Sequence, residues 1–217
     1  MNKFNGGILS GLSIKEAIIK GDIVISPLDL DHIDSIDRFN PASYDLTLGN
    51  TVAVYEQVTH IDFSFSKKGV PGERLTHKIS QVPSRDSCLD AAKANLVVYY
   101  EMSNTGFMLK PGIGYLMHTH EKIKTNIYAP ILDGKSSIGR LFLTAHITAG
   151  YGDPGFDGQY TLEVIATHPI IIYPGMRFCQ IRFHTIVGDV SGYENNGNYK
   201  GSLASGPVPS RSWKLFL

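Results

Sequence analysis

The sequence has little cysteine, no net charge and no long apolar run, and each lack narrows what it can be. Its two cysteines, Cys88 and Cys179, lie far apart. They read as reduced thiols of a cytoplasmic protein, although two cysteines can in principle pair. Twenty basic and twenty acidic residues cancel to a formal charge of zero. Such a chain has no electrostatic footprint for duplex nucleic acid, so any anion it binds must be held by a local cluster. No apolar stretch approaches the roughly 20 residues a membrane helix needs, and no membrane partner is expected. The opening MNKFNGGILSG lacks the apolar core of a signal peptide, so a cytoplasmic location is expected.

What is present points to a β protein. The 217 residues are 42% hydrophobic and 18% charged, enough for one substantial core, and 22 Gly with 11 Pro imply many turns. Ser13 three residues before Glu16 forms a capping box for a short helix, with Gly21 as its left-handed stop. Short strands then recur: 23–25, then 44–50 after a turn at 40–43, with Tyr44, Leu46 and Leu48 alternating as in a half-buried strand, and 51–58. Further strands are predicted at 96–102, 107–109, 113–123, 126–132, 161–168, 170–174 and 176–186, with a short helical turn after Lys135. Residues 63–95 are mostly polar and read as an insertion with at most one short helix near Leu89–Ala94. From Gly188 onward the chain is rich in Gly, Ser and Asn, as in a tail that is disordered or ordered by docking. The expected architecture is an all-β sandwich or barrel over 1–187, with a C-terminal arm over 188–217.

Three devices sit between Leu132 and Val164. A tight Asp133-Gly134 turn leads into Lys135, Ser136, Ser137 and Arg140, whose hydroxyls, N–H groups and cations suit phosphate oxygens. A solvated helix start would read the same, and the Gly-x-x-x-x-Gly-Lys of a P-loop is absent. Glu163 follows in an apolar strand that suggests burial on both faces. A buried carboxylate needs a partner or a job, with Arg140 the candidate partner and general acid–base work the candidate job. Asp153 lies in an Asp-Pro-Gly turn beside Phe156; it is either simply a turn former or a carboxylate held rigidly for a sugar hydroxyl. The histidines, including the His118-x-His120 pair, read more readily as satisfied side chains than as metal ligands. Zinc deaminases carry His-x-Glu followed by Pro-Cys-x-x-Cys, and two distant cysteines cannot supply that set.

The order K-S-S-I-G-R (135–140), H-I-T-A-G-Y-G-D-P-G-F-D-G (146–158) and T-L-E-V (161–164), with P-A-S-Y-D-L-T-L (41–48) before and P-S-R-S-W (209–213) after, resembles the dCTP deaminases of the trimeric dUTPase-like superfamily. The resemblance covers most of the chain outside 63–95. It implies a distorted β-barrel, a homotrimer with active sites shared between subunits, and a C-terminal arm that closes over nucleotide. By resemblance Glu163 is the general acid/base acting on a zinc-free water, with Ser136, Arg140 and Ala149 beside it in the catalytic set. Lys135, Ser137, Ile147, Thr148, Asp153, Phe156, Tyr199, Lys200 and Ser202 fall at substrate-binding positions, Asp153 at the sugar hydroxyl and Phe156 against deoxyribose. Mg²⁺ is implied as an ion carried on the nucleotide phosphates.

The implied reaction is deamination of dCTP, with coupled hydrolysis to dUMP and pyrophosphate. Single-activity members of the enteric type carry a bulky His-Arg after the matching Ala. This chain has Gly150 and Tyr151, like dUMP-forming members, and Gly150 is expected to leave room beside the base and α-phosphate. A glycine that merely permits a bend is the competing reading. In the tail, Asn198 and Ser202 stand where the family has a basic residue and Gln, while Lys200 offers a nearby charge. Deamination alone, dUTP hydrolysis alone, and deamination of dCMP or a modified cytosine nucleotide are the alternatives.

Overall fold

The computed structural model describes residues 6–32, 36–56, 88–190, 193, 197–199 and 206–216. Most of the expected insertion at 63–95, with Lys200 and Ser202, lies outside the described residues. The fold is dominated by strands, as the spacing of apolar residues predicts. Helix α1 (Gly11–Lys20) starts two residues before the expected capping box. Ser10 is the cap, its hydroxyl accepting the Ser13 N–H at 3.1 Å, while Gly21 ends the helix at φ 81° as expected. Around Leu89–Ala94 the structure has a turn and no helix; Asp90 accepts the Ala92 N–H through its side chain, a local bond that competes with helix.

The strands are β1 (Ile23–Ser26), β2 (Phe39–Asn40), β3 (Ser43–Thr47), β4 (Thr51–Tyr55), β5 (Val97–Glu101), β6 (Phe107–Leu109), β7 (Gly114–Thr125), β8 (Tyr128–Gly134), β9 (Asp157–Ile165), β10 (Ile170–Ile172) and β11 (Arg177–Thr185). They form three sheets around one core. One has the order β1-β7-β4-β5 with β9 also on β7, one is β2-β3-β11-β8, and β6 pairs with β10. A short helix α2 (Ser136–Gly139) follows β8. Asp133 and Gly134 are therefore not a turn. They end β8 opposite Gln180 and Cys179, and Asp133 is ion-paired with Arg182 across the ladder.

Strand β3 departs from the half-buried expectation, since all five of its residues are buried. It lies inside its sheet, so its apolar face meets the core and its polar face is covered too. That burial needs compensation for the polar members. Thr47 donates through N–H (2.9 Å) and hydroxyl (2.7 Å) to Glu121 of β7, which also accepts from Arg38 at 2.5 Å. Asp45 accepts from Asn40 at 2.8 Å and is ion-paired with Lys135. Polar alternation in β3 thus reflects a buried ionic layer rather than a wet face. Both cysteines are free, Cys88 exposed and Cys179 buried. Burial pushes the Cys179 thiol up, away from reactivity.

Candidate active site

Strand β9 positions the site. Leu162 and Val164 point into the core, while Thr161, Glu163 and Ile165 on the other face are half-buried. The expected burial of both faces is thus only partly met, because the second face lines a cleft of about 1170 Å³ instead of a second core. The segment after α2 is stapled along the end of this strand. Leu143 bridges to Ala166. The Thr144 hydroxyl donates to the Glu163 carbonyl at 2.9 Å and accepts the Ile165 N–H at 2.7 Å. Three residues on, the Ile147 N–H donates to Glu163 Oε2 at 3.0 Å. One carboxylate oxygen is thereby held by backbone. Oε1 has no hydrogen-bond partner among the described residues and is available to a water or a base.

The chain next docks as an extra edge on β8. Leu132 N–H donates to Gly150 O at 2.7 Å, and Gly152 N–H to Pro130 O at 2.8 Å. A Cβ on Gly150 would stand 2.4 Å from the Leu132 carbonyl oxygen and 2.7 Å from His146 Nε2. Glycine is therefore required for close approach of two backbones, and the room expected beside the base is already filled. Asp153 accepts the Phe156 N–H at 3.2 Å through its own carbonyl, and Gly155 sits at φ 89°, so the Asp-Pro-Gly turn forms as its composition predicts. It leaves the exposed Asp153 carboxylate at the cleft and turns Phe156 into a ring cluster, 5.1 Å from Tyr160 and 5.7 Å from Tyr193.

Of the sequence-predicted residues, Ile147, Ala149, Asp153, Phe156, Glu163 and Tyr199 line this cleft. Thr148 is exposed outside it. The phosphate corner is not brought in. Ser136, Ser137 and Arg140 are exposed on and after α2 and do not line the cleft. Arg140 forms no ion pair with Glu163. Lys135 is turned away, paired with the buried Asp45. Nearness in sequence hides this, since the turn of α2 and the staple at Thr144 separate the two motifs.

Several working residues carried no usable signal. Thr144 looks like any loop threonine. Asp45 stood within an alternating strand, and only its buried position marks it. His118 is buried and uses both ring nitrogens, Nδ1 toward the Thr119 carbonyl (2.9 Å) and Nε2 accepting the Thr51 N–H (3.3 Å). Burial lowers its pKa. It is a satisfied neutral histidine, and the bulge between His118 and Lys122 breaks the alternation with His120. Among the described residues no three His, Cys, Asp or Glu side chains converge as a metal site requires, and no helix is long and apolar enough to cross a membrane.

Residues 8–186 match the family described as dCTP deaminase-like. The chain belongs to that family. Similar curated proteins include one from Cytophaga hutchinsonii, 39% identical over 96% of this chain and 98% of its own length. Another, from Clostridium botulinum, is 40% identical over 96% and 98%. Both are named "dCTP deaminase, dUMP-forming". Among solved structures, the 2'-deoxycytidine 5'-triphosphate deaminase of Agrobacterium tumefaciens is similar in fold, with a TM-score of 0.56 at 23% identity. The match covers 91% of this chain and 54% of that one, so this chain spans about half its length. The all-β expectation and the family resemblance both hold.

Proposed function

We propose that this protein deaminates dCTP and releases dUMP and pyrophosphate. The observation that carries the reading is Glu163, a carboxylate with one oxygen held by the Ile147 N–H at 3.0 Å and the other open to a nucleotide-sized cleft. The family and the names of its dUMP-forming relatives support the substrate.

In this reading Glu163 removes a proton from a water that attacks cytosine C4. It passes that proton to the ring nitrogen, then returns the second water proton to the leaving amine. The C4–N bond breaks and ammonia departs, leaving uracil. One carboxylate can relay both protons. Asp153 contacts the sugar hydroxyl and Phe156 packs on deoxyribose. Coupled hydrolysis requires a second water to attack the α-phosphate and release pyrophosphate. Gly150 no longer explains it, so the names of the relatives are its support. Mg²⁺ travels on the phosphates. The described residues offer it no ligand set of their own, and no step here is routed through it.

Among the described residues the cleft lining holds Asp153, Glu163 and Asp189 but no Lys or Arg. A triphosphate needs cationic donors beside such a lining. The exposed Ser136, Ser137 and Arg140 of a second copy would supply them, which supports the reading of a homotrimer with shared sites. Incubation with dCTP and Mg²⁺, with products separated, tests the reaction. Ammonia, dUMP and pyrophosphate in equal amounts are expected. Accumulating dUTP without pyrophosphate means deamination alone, and no ammonia ends the proposal.

A further inference from the structure

Among the described residues no cation lines the cleft, yet the arm of this chain brings one close to it. Its described part is tied across the cleft by four bonds. Gly206 N–H donates to Gln159 Oε1 (2.9 Å), Val208 N–H to Thr161 Oγ1 (3.0 Å), Ser210 N–H to the Tyr55 hydroxyl (2.9 Å) and Ser212 Oγ to the Ala91 carbonyl (2.8 Å). Thr161 lies two residues from Glu163 on the same face of β9, so the arm runs beside the reacting carboxylate.

Arg211 is fixed in this strap. Its guanidinium lies 5.4 Å from the centre of the Tyr199 ring. Its Nη1 donates to the Asn198 carbonyl at 3.3 Å, and its own N–H reaches the Tyr199 hydroxyl at 3.3 Å. Tyr199 is braced in turn, its N–H donating to the Tyr193 hydroxyl at 2.9 Å. Asn198, Tyr199 and Ser210, the neighbours that surround Arg211, all line the cleft. The half-buried guanidinium has no carboxylate partner among the described residues. A guanidinium carries five N–H donors, and the contacts described use one. A cation held over a ring and on a carbonyl, with donors that make no further contact among the described residues and beside a cleft lined by no other cation, suits a phosphate.

We propose that Arg211 is a phosphate-binding residue, contributed by the arm of the same chain, that selects nucleotides with a polyphosphate over the bare nucleoside. Arg211 sits just behind the lining, its Nη1 on the carbonyl of the cleft-lining Asn198. This rests on the proposed nucleotide reading of the cleft, and it adds a cation of the same chain to the donors proposed from a second copy.

Calorimetry on the full chain tests it, with dCTP, deoxycytidine and inorganic tripolyphosphate as probes for wild type, Arg211→Gln, Arg211→Lys and Lys214→Gln. Lys214, exposed and 5.8 Å over the Trp213 ring, is a control for loss of one positive charge. Arg211→Gln is expected to weaken dCTP and tripolyphosphate about 10- to 100-fold, the loss of one hydrogen bond to a charged group. Deoxycytidine binding should not change, Arg211→Lys should recover part of the loss, and Lys214→Gln should match wild type. Thermal melts confirm that each variant is folded. If Arg211→Gln is unfolded, the comparison passes to Arg211→Lys, which keeps the charge but loses the planar fork and should still weaken tripolyphosphate. Wild-type affinity of the folded Gln variant for tripolyphosphate, an equal loss for all three probes, or wild type that binds deoxycytidine but not tripolyphosphate overturns the proposal. A selective loss in a protein that releases no ammonia would uphold Arg211 and overturn the deaminase reading instead.

Discussion

The cleft along β9 and the corner at α2 have opposite chemical character. Among the described residues the cleft lining carries Asp153, Glu163 and Asp189, aromatic rings and no cation. The corner carries two exposed serines and Arg140, standing on an ion pair between Lys135 and the buried Asp45. Carboxylates suit proton transfer and sugar hydroxyls, while hydroxyls and cations suit phosphate. The two are separated within one chain, although their motifs are near neighbours in sequence. The separation teaches that motifs adjacent in sequence need not share a site within one chain.

The largest expected effect comes from removing the cleft's chemistry while leaving its shape. Glu163→Gln should lower ammonia release about 10²- to 10⁴-fold while dCTP still binds, as read by single-turnover assays beside calorimetry. Deamination within tenfold of wild type would remove Glu163 from the mechanism. The second test joins the two regions. Glu163→Gln and Arg140→Ala are each expected to be inactive alone. Subunits mixed after mild dissociation should regain activity, because some shared sites then contain both native residues. No recovery in a demonstrably mixed oligomer places each site within one chain.

A smaller effect comes from loosening the corner's foundation. Asp45→Asn leaves Lys135 without its carboxylate, and a broken buried pair costs about 3–5 kcal/mol. Denaturant melts should show that loss. Lys135→Met removes the cation, leaves Asp45 uncompensated and should cost a similar amount. If either variant is as stable as wild type, the ion pair does not anchor α2.

The smallest effect is a pH dependence at His118, on β7 opposite Thr161 of the cleft strand. His118 has its pKa lowered from 6.5, first by burial. The unfolded chain then binds a proton that the folded chain refuses, so this stabilisation is complete above about pH 6.5 and is lost as pH falls toward the folded value. Thermal melts between pH 7.5 and 5 should show that loss, and His118→Gln should flatten it while lowering stability throughout. An unchanged acid slope in the variant assigns the loss to other groups.

How much was legible divides along the same physical line. Strand positions, the helix stop at Gly21 and the Asp-Pro-Gly turn rest on local backbone preference and alternation, and the structure follows them within a few residues. Glu163 stood out because a lone carboxylate in an apolar strand is uncommon. The misreadings arose where a second layer decides. β3 alternates as if half-exposed, yet both faces are covered, and only the partners Lys135 and Glu121 make that tolerable. Asp133-Gly134 has turn composition, yet pairing with β11 keeps it in a strand. Gly150 suggested space, but the β8 backbone and His146 occupy it.

The sequence by itself determined the β class, the residues able to do acid–base and phosphate chemistry, and the family, because these depend on residue type and order along the chain. Only the tertiary structure decided which of those residues meet. It put Ile147's N–H on Glu163, turned Lys135 inward to Asp45, left Arg140 outside, and seated Arg211 over Tyr199. Such contacts join residues far apart in sequence through strand register, cross-layer burial and the path of the arm, and no local pattern encodes the distance between two side chains.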